Sequence, residues 1–274
     1  MHEQVISAEG LRKVFIARGA SAGDGKIVAV DDISFMVSDG GSLAIVGESG
    51  SGKTTVARML VGLTRPTAGR IVIAGQDRTK PCKRSSKRQA RGRDIQIVFQ
   101  DPYSSLDPRQ TAAQSIEEVL KLHFSLSRAD RADRVQRLAG QVGLDERQVG
   151  ARPRALSGGQ RQRVAIARAL AAEPKALVLD ESVASLDVSI QAQILNLLAD
   201  IREQTRISYV FISHDLAVVR QVADHVLVMQ HGRAVESGST EQILGSPEHP
   251  YTKLLRSSVP GRGWKPARRN ARQA

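Results

Sequence analysis

Ser42-Leu-Ala-Ile-Val46 runs without a break into Gly47-Glu-Ser-Gly-Ser-Gly52-Lys53-Thr54-Thr55. The first five residues carry no charge and read as a strand buried on both faces. Glycines then turn the chain, and from Lys53 the apolar positions Val56, Met59, Leu60 and Leu63 fall on one helical face. Strand, glycine-rich turn and helix, with the spacing G-x-x-x-x-G-K-[ST], make a phosphate-binding loop. Glycines let successive backbone N–H groups converge on phosphate oxygens, and the helix N-terminus adds positive potential. Gly47, Glu48, Ser49, Gly50, Ser51, Gly52, Lys53, Thr54 and Thr55 are therefore expected to cradle a nucleotide. Lys53 is placed for its β and γ phosphates, and the Thr54 hydroxyl for Mg²⁺.

Three other apolar runs end in groups that suit such a site. Ala176-Leu-Val-Leu179 ends in Asp180-Glu181: the first acid suits Mg²⁺, the second can orient or deprotonate an attacking water. Two acids can also simply mark the solvated end of a strand. Tyr209-Val-Phe-Ile-Ser213 ends in His214-Asp215, and a histidine can hydrogen-bond a γ-phosphate or the lytic water. Ile95 to Phe99 ends in Gln100, an amide able to touch both the metal and the water. Further strands are expected at Val5–Val14, Ile33–Val37, Arg70–Ala74 and Val226–Met229, with a glycine-rich connection from Arg18 to Gly25. Strands alternating with helices, among them 159–172 and 189–204, argue for a mainly parallel α/β sheet covered on both faces.

From Asp101 to about Pro153 the pattern is helical. Ile116, Val119 and Leu120 form one stripe and Val135, Leu138 and Val142 another; Ser127 with Asp130 reads as a cap and Gly143 as a stop. The chain of 274 residues carries one cysteine, Cys82, which excludes an internal disulfide or a cysteine-ligated cluster. No roughly 18-residue run is free of charge, and the first residues lack the pattern of a secretory signal, so the expectation is a cytosolic chain. The net charge of +12 has two local sources. Residues 78–93 hold eight basic side chains and residues 249–274 seven, neither with an acid, leaving −3 for the rest. Aromatics are 3%, too few for a stacking surface for bases.

Leu156-Ser157-Gly158-Gly159-Gln160-Arg161-Gln162-Arg163 opens a helix and offers a second set of backbone donors for an anion. This segment resembles the signature motif of the ATP-binding cassette (ABC) family. The phosphate loop, Gln100, the signature, Asp180-Glu181, Ser185-Leu-Asp187 and His214 follow in that family's order over residues 5–260. The resemblance implies a P-loop ATPase fold: a mainly parallel sheet, an antiparallel β subdomain and a helical subdomain inserted at about 101–155, with a basic tail at 261–274. It implies ATP with Mg²⁺ held by Thr54, Gln100 and Asp180. Two cassettes would pack head to tail, so that Ser157, Gly158, Gly159 and Gln160 serve the partner's γ-phosphate and Asp187 links the two sites. Glu181, His214 and Gln100 would carry hydrolysis, Gln100 also reporting to a membrane-spanning partner. Phe15 matches the aromatic that stacks on adenine; alternatively it is simply a core residue.

Gln100-Asp-Pro-Tyr-Ser-Ser-Leu-Asp-Pro-Arg109, Leu186 to Leu198 and His249-Pro-Tyr-Thr-Lys-Leu-Leu255 resemble the dipeptide, oligopeptide and nickel importer ATPases. That implies an ATP-driven importer with two permease subunits, an extracellular or periplasmic solute-binding protein, and a place at the cytoplasmic face of the membrane as a peripheral subunit. The second cassette can be identical or different, and the expected cargo is peptide, with nickel or another small solute as the alternatives. Ser182 stands where the family usually has proline and Ser185 where it has alanine; neither removes a catalytic group. The cysteine cluster many relatives carry after the His-Pro-Tyr-Thr segment is missing. The other reading is a soluble ABC-type ATPase acting on nucleic acid or ribosomes, although the 110 positions between Gly47 and Ser157 leave no room for a long coiled-coil arm. The basic insert and tail either lie against an anionic leaflet or are solvated, and no specific nucleic acid is expected.

Overall fold

The computed structural model describes residues 4–16, 25–184 and 186–257. Its first elements are β1 (Gln4–Ile16), β2 (Lys26–Ser38), β3 (Ser42–Val46), α1 (Lys53–Leu60), β4 (Ala68–Ile73), β5 (Gln76–Asp77), α2 (Ser85–Asp94) and β6 (Ile95–Val98). A helical stretch follows: α3 (Pro102–Ser105), α4 (Ala112–His123), α5 (Arg128–Gln141), α6 (Glu146–Gly150) and α7 (Gly158–Leu170). The remainder alternates: β7 (Ala176–Asp180), α8 (Val188–Thr205), β8 (Ser208–Ser213), α9 (Leu216–Val222), β9 (His225–Gln230), β10 (Arg233–Ser239), α10 (Thr240–Gly245) and α11 (Pro250–Ser257). The connection 17–24, Ser185 and the tail from 258 onward lie outside the described residues.

Six strands form the central sheet in the order β10-β9-β3-β8-β7-β6, parallel except for β10. Strand residues alternate between its faces, and each face has its own core. Ala44, Val46, Leu177, Leu179, Tyr209, Phe211, Val226 and Val228 face the helices α4, α5, α7, α8 and α9. Leu43, Ile45, Val178, Val210, Ile212, Leu227 and Met229 face α1 and the second sheet, β2-β1-β4-β5, which is antiparallel. Burial on both sides explains why β3, β7 and β8 read as unbroken apolar runs. α1 and α7 thus cover opposite faces of one sheet.

The helical stretch is capped as its sequence dictates. Ser127 caps α5 by accepting the Asp130 N–H, and Gly143 closes it at φ 70°. Thr111 and Gln114 form a capping box on α4. Beyond α7, Glu173 pairs with Arg93 of α2 and Arg134 of α5, and both guanidinium groups lie over the Phe124 ring at 4.5 and 4.3 Å. This cluster joins the helical stretch to the joint beside β6.

Several local expectations change. Leu63 is not on the buried face of α1: the helix stops at Leu60, Gly62 turns the chain at φ 77°, and Leu63 is exposed. β2 begins at Lys26 rather than Ile33, because Asp32 at φ 59° is an irregularity that the strand passes through. The basic insert is not wholly solvated. Arg78 is buried against Asp94, Arg91 donates to the carbonyls of Lys80 and Asp77, and only Lys80, Lys83, Arg84, Lys87 and Arg88 of its eight cations are exposed.

Candidate active site

The parallel strands β3, β6, β7 and β8 end together, and each end delivers one piece of the site. Register pairs Val46 with Ser213, Asp180 with Ile212, and Val98 with Leu179. The phosphate loop, His214, Glu181 and Gln100 therefore leave the sheet along one edge.

The loop itself is walled by backbone. Gly47 sits at φ 151° and a Cβ there would lie 2.1 Å from the Met229 carbonyl oxygen; at Gly52, φ 103°, the Ala29 carbonyl oxygen would be 2.2 Å away. No other residue fits either place. Ser51 accepts a backbone hydrogen bond from the Gly232 N–H at 3.1 Å, while its own Oγ is buried without a partner inside the loop. Lys53 is buried, and its Nζ donates to the carbonyls of Gly47 and Glu48, both at 2.8 Å, leaving one of three N–H donors over. Burial holds the Lys53 pKa below its ordinary value, opposed by the charges of Glu181, Asp180 and Glu48. A buried hydroxyl without a partner and an ammonium with a spare donor are what a phosphate would satisfy.

Asp180 accepts a hydrogen bond from the Thr54 hydroxyl at 3.2 Å. Burial pushes its carboxyl above the usual range, against that hydrogen bond and reinforced by the negative charge of Glu181. Hydroxyl and carboxylate are hard oxygen donors, of the kind Mg²⁺ takes alongside substrate phosphates. Glu181 turns away at φ 46°, its N–H bonded to the Ile212 carbonyl, so its carboxylate meets His214 instead, Oε1 to Nδ1 at 3.6 Å. A small cavity of about 60 Å³, lined by Glu181, Ser182, His214 and Asp215 among others, opens between them. Asp215 is not part of that chemistry: its carboxylate caps α9, accepting the N–H groups of Ala217 and Val218.

Other expected residues are exposed or act as helix caps. Gln100 is exposed at the end of β6, and Asp187 is exposed at the start of α8. Ser157 and Gln160 cap each other at the start of α7, the serine hydroxyl accepting the Gln160 N–H and the glutamine oxygen the Ser157 N–H. Those two amides are thus not bare, and the donors without an intrahelical acceptor there belong to the glycines. Phe15 is 42% exposed, with Lys13 Nζ 4.9 Å from its ring centroid, so it is not a core residue. Ser185 and the basic tail fall outside the described residues. Sequence reasoning missed Ala29, Met229, Gly232 and Tyr251, which hold the loop; only Tyr251, in the His249-Pro-Tyr-Thr252 stretch, belonged to a motif that could have drawn attention.

The family described as "ABC transporter" matches residues 30–184, and the "Oligopeptide/dipeptide transporter, C-terminal region" matches residues 235–273. The chain is 47% identical to the di/tripeptide transport ATP-binding protein DppF of Pseudomonas aeruginosa, over 94% of this chain and 80% of that protein. It is 43% identical to the dipeptide transport ATP-binding protein DppF of Escherichia coli (95% and 78%) and 41% to the oligopeptide transport ATP-binding protein AppF of Bacillus subtilis (94% and 79%). Among solved structures, the dimeric ATP-binding cassette MJ0796, in a post-hydrolysis state bound to ADP and Pi, superposes with a TM-score of 0.76 at 28% identity, covering 86% of this chain and 98% of that one. A cbiO1 protein of Clostridium perfringens, part of an ABC transporter complex, matches with the same TM-score at 27% identity (89% and 92%). With the phosphate loop, the strand-end acids and the fold in agreement, the chain belongs to the ABC transporter family as an ATP-hydrolysing, ATP-binding subunit.

Proposed function

We propose that this chain is the motor subunit of a peptide importer, at the cytoplasmic face of the membrane, paired with a second cassette beneath two permease subunits that a solute-binding protein supplies. The similarity to di/tripeptide, dipeptide and oligopeptide transport proteins over nearly the whole chain supports the cargo class. The observation that carries the paired arrangement is the placement of α1 and α7 on opposite faces of the central sheet. Phosphate loop and signature then serve two different nucleotides, each completed by the other cassette.

Within one such site, backbone N–H groups of Gly50 to Thr55 and the Lys53 ammonium bind the phosphates, and Phe15 offers its exposed face to adenine. Asp180, Thr54 and Gln100 would hold Mg²⁺, which would supply charge neutralisation to the phosphates. Glu181 orients and deprotonates the water, in the cavity it shares with His214, whose imidazole also contacts the γ-phosphate. Ser157, Gly158, Gly159 and Gln160 close over the partner's γ-phosphate, while Asp187 bridges the pair. A γ-phosphate gripped by both chains holds them together, and its release lets them part. Gln100 lies beside a cleft of about 500 Å³ between β6 and the helical stretch, lined by Phe99, Leu122, His123 and Arg168, which suits a helix of the permease.

The test is reconstitution with the permease subunits and binding protein in proteoliposomes. Di- and tripeptides are expected to accelerate ATP turnover. Acceleration by nickel instead would change the cargo, and stimulation of the isolated chain by RNA or DNA without co-purifying membrane subunits would reverse the reading. Among the described residues no helix is long and apolar enough to cross a membrane.

A further inference from the structure

Phosphate chemistry leaves Tyr251 unexplained. Its ring is 6% exposed in the larger core, yet its hydroxyl accepts the backbone N–H of Glu48 at 2.9 Å, across 203 positions of sequence. The pose is held from behind. The Glu236 carboxylate on β10 accepts the N–H groups of Glu248 and His249 at 2.8 and 3.2 Å, and His249 Nδ1 accepts the N–H of Tyr251 itself at 3.2 Å. Arg256 at the far end of α11 donates to the Gly245 carbonyl. These bonds set where α11 begins and so how far the tyrosine reaches.

The contact falls on a telling peptide group. The N–H of Glu48 and the carbonyl of Gly47 belong to the same planar unit and point in opposite directions. Tyr251 takes the N–H while Lys53 Nζ donates to the carbonyl at 2.8 Å. One peptide plane is thus clasped between a buried hydroxyl and the ammonium that meets the phosphates. Neighbouring fixed points are Gly47 against Met229 and the Ser51 carbonyl on Gly232, whereas Glu48, Ser49 and Gly50 between them are exposed. The Glu48 carbonyl is tied within the loop, to Lys53 Nζ at 2.8 Å and the Ser51 N–H at 3.2 Å, whereas Tyr251 ties the span to a distant part of the chain; without it the plane that orients Lys53 is freer to tilt.

We propose that Tyr251 is a positioning residue for ATP: it orients the Gly47–Glu48 peptide and through it the Lys53 ammonium, so that the C-terminal segment sets the affinity of the phosphate loop. The proposal rests on the ATP-binding reading of that loop. Its test is Tyr251→Phe in the full chain, which keeps the ring and removes the hydroxyl, with Ile243→Val as a control that trims the same core by one methyl. For Tyr251→Phe the Kd and KM for MgATP should rise about threefold to tenfold, with kcat within about twofold, because Glu181 and His214 are untouched. Ile243→Val should lower Tm and leave KM alone. Wild-type affinity in Tyr251→Phe, or an equal rise of KM in Ile243→Val, overturns the proposal alone. A wild-type chain without measurable affinity for ATP overturns the ATP reading as well.

Discussion

Asp180 is a carboxylate folded into surroundings that penalise its charge, since burial raises its pKa above the ordinary value. The sign follows from linkage: a group whose folded pKa exceeds its unfolded one lends full stability below the unfolded value and loses it as pH rises through the folded value. Ionised Asp180 is therefore a burden on the fold at neutral pH. Asp180→Asn should melt higher than wild type at pH 7–8, with the gap closing as the pH falls into the carboxylate range, while ATP turnover is lost; parallel Tm scans against pH check this. Glu181→Gln leaves the phosphate contacts in place, so ATP affinity should stay within about twofold while turnover drops at least about 100-fold. Size-exclusion chromatography with ATP should show this variant as a persistent pair of cassettes, and normal turnover would remove Glu181 from its proposed role. Such groups are legible in sequence because strand ends are, and Asp180, Glu181, His214 and Gln100 each follow an apolar run. The walls of the loop are not: the carbonyls of Ala29 and Met229 act through main chain, which any residue type supplies.

At the scale of elements, the junction of α7 and α8 depends on one missing methyl. A Cβ on Gly159 would stand 2.5 Å from Cγ2 of Ile190. Gly159→Ala should cost about 1–3 kcal/mol of stability through overpacking, and Ile190→Ala in the same chain should recover part of it. A double-mutant cycle read by denaturant unfolding is expected to give a coupling near 1 kcal/mol, and strict additivity would contradict it. Strands β3, β7 and β8 were plain from sequence because burial on both faces leaves an apolar run, with polar residues confined to the ends. By contrast α2 buries none of its residues and so shows no period, and β10 is a polar antiparallel edge behind the His231-Gly232 turn, where both residues have positive φ. The helix α11 hides in a motif whose purpose is invisible until Tyr251 is placed against Glu48.

Over the whole molecule, the excess charge divides into structural and spare cations. Replacing Lys83, Arg84, Lys87 and Arg88 together by glutamine should leave stability within roughly 0.5 kcal/mol, since exposed surface changes rarely matter more. Arg134→Ala should destabilise, because it strips Glu173 and Phe124 of a shared partner. Thermal melts of the two variants separate these outcomes, and flotation with anionic vesicles at low salt shows whether the spare cations touch lipid: reduced retention of the quadruple variant identifies leaflet contact. The parallel order β9-β3-β8 has one more consequence. The strand that launches the phosphate loop is made early on the ribosome, yet both its neighbours come from the last third of the chain. A nascent polypeptide stalled before His225 holds every letter of the nucleotide motif without the strand that walls it, and should elute from an ATP column unretained until translation has passed β9.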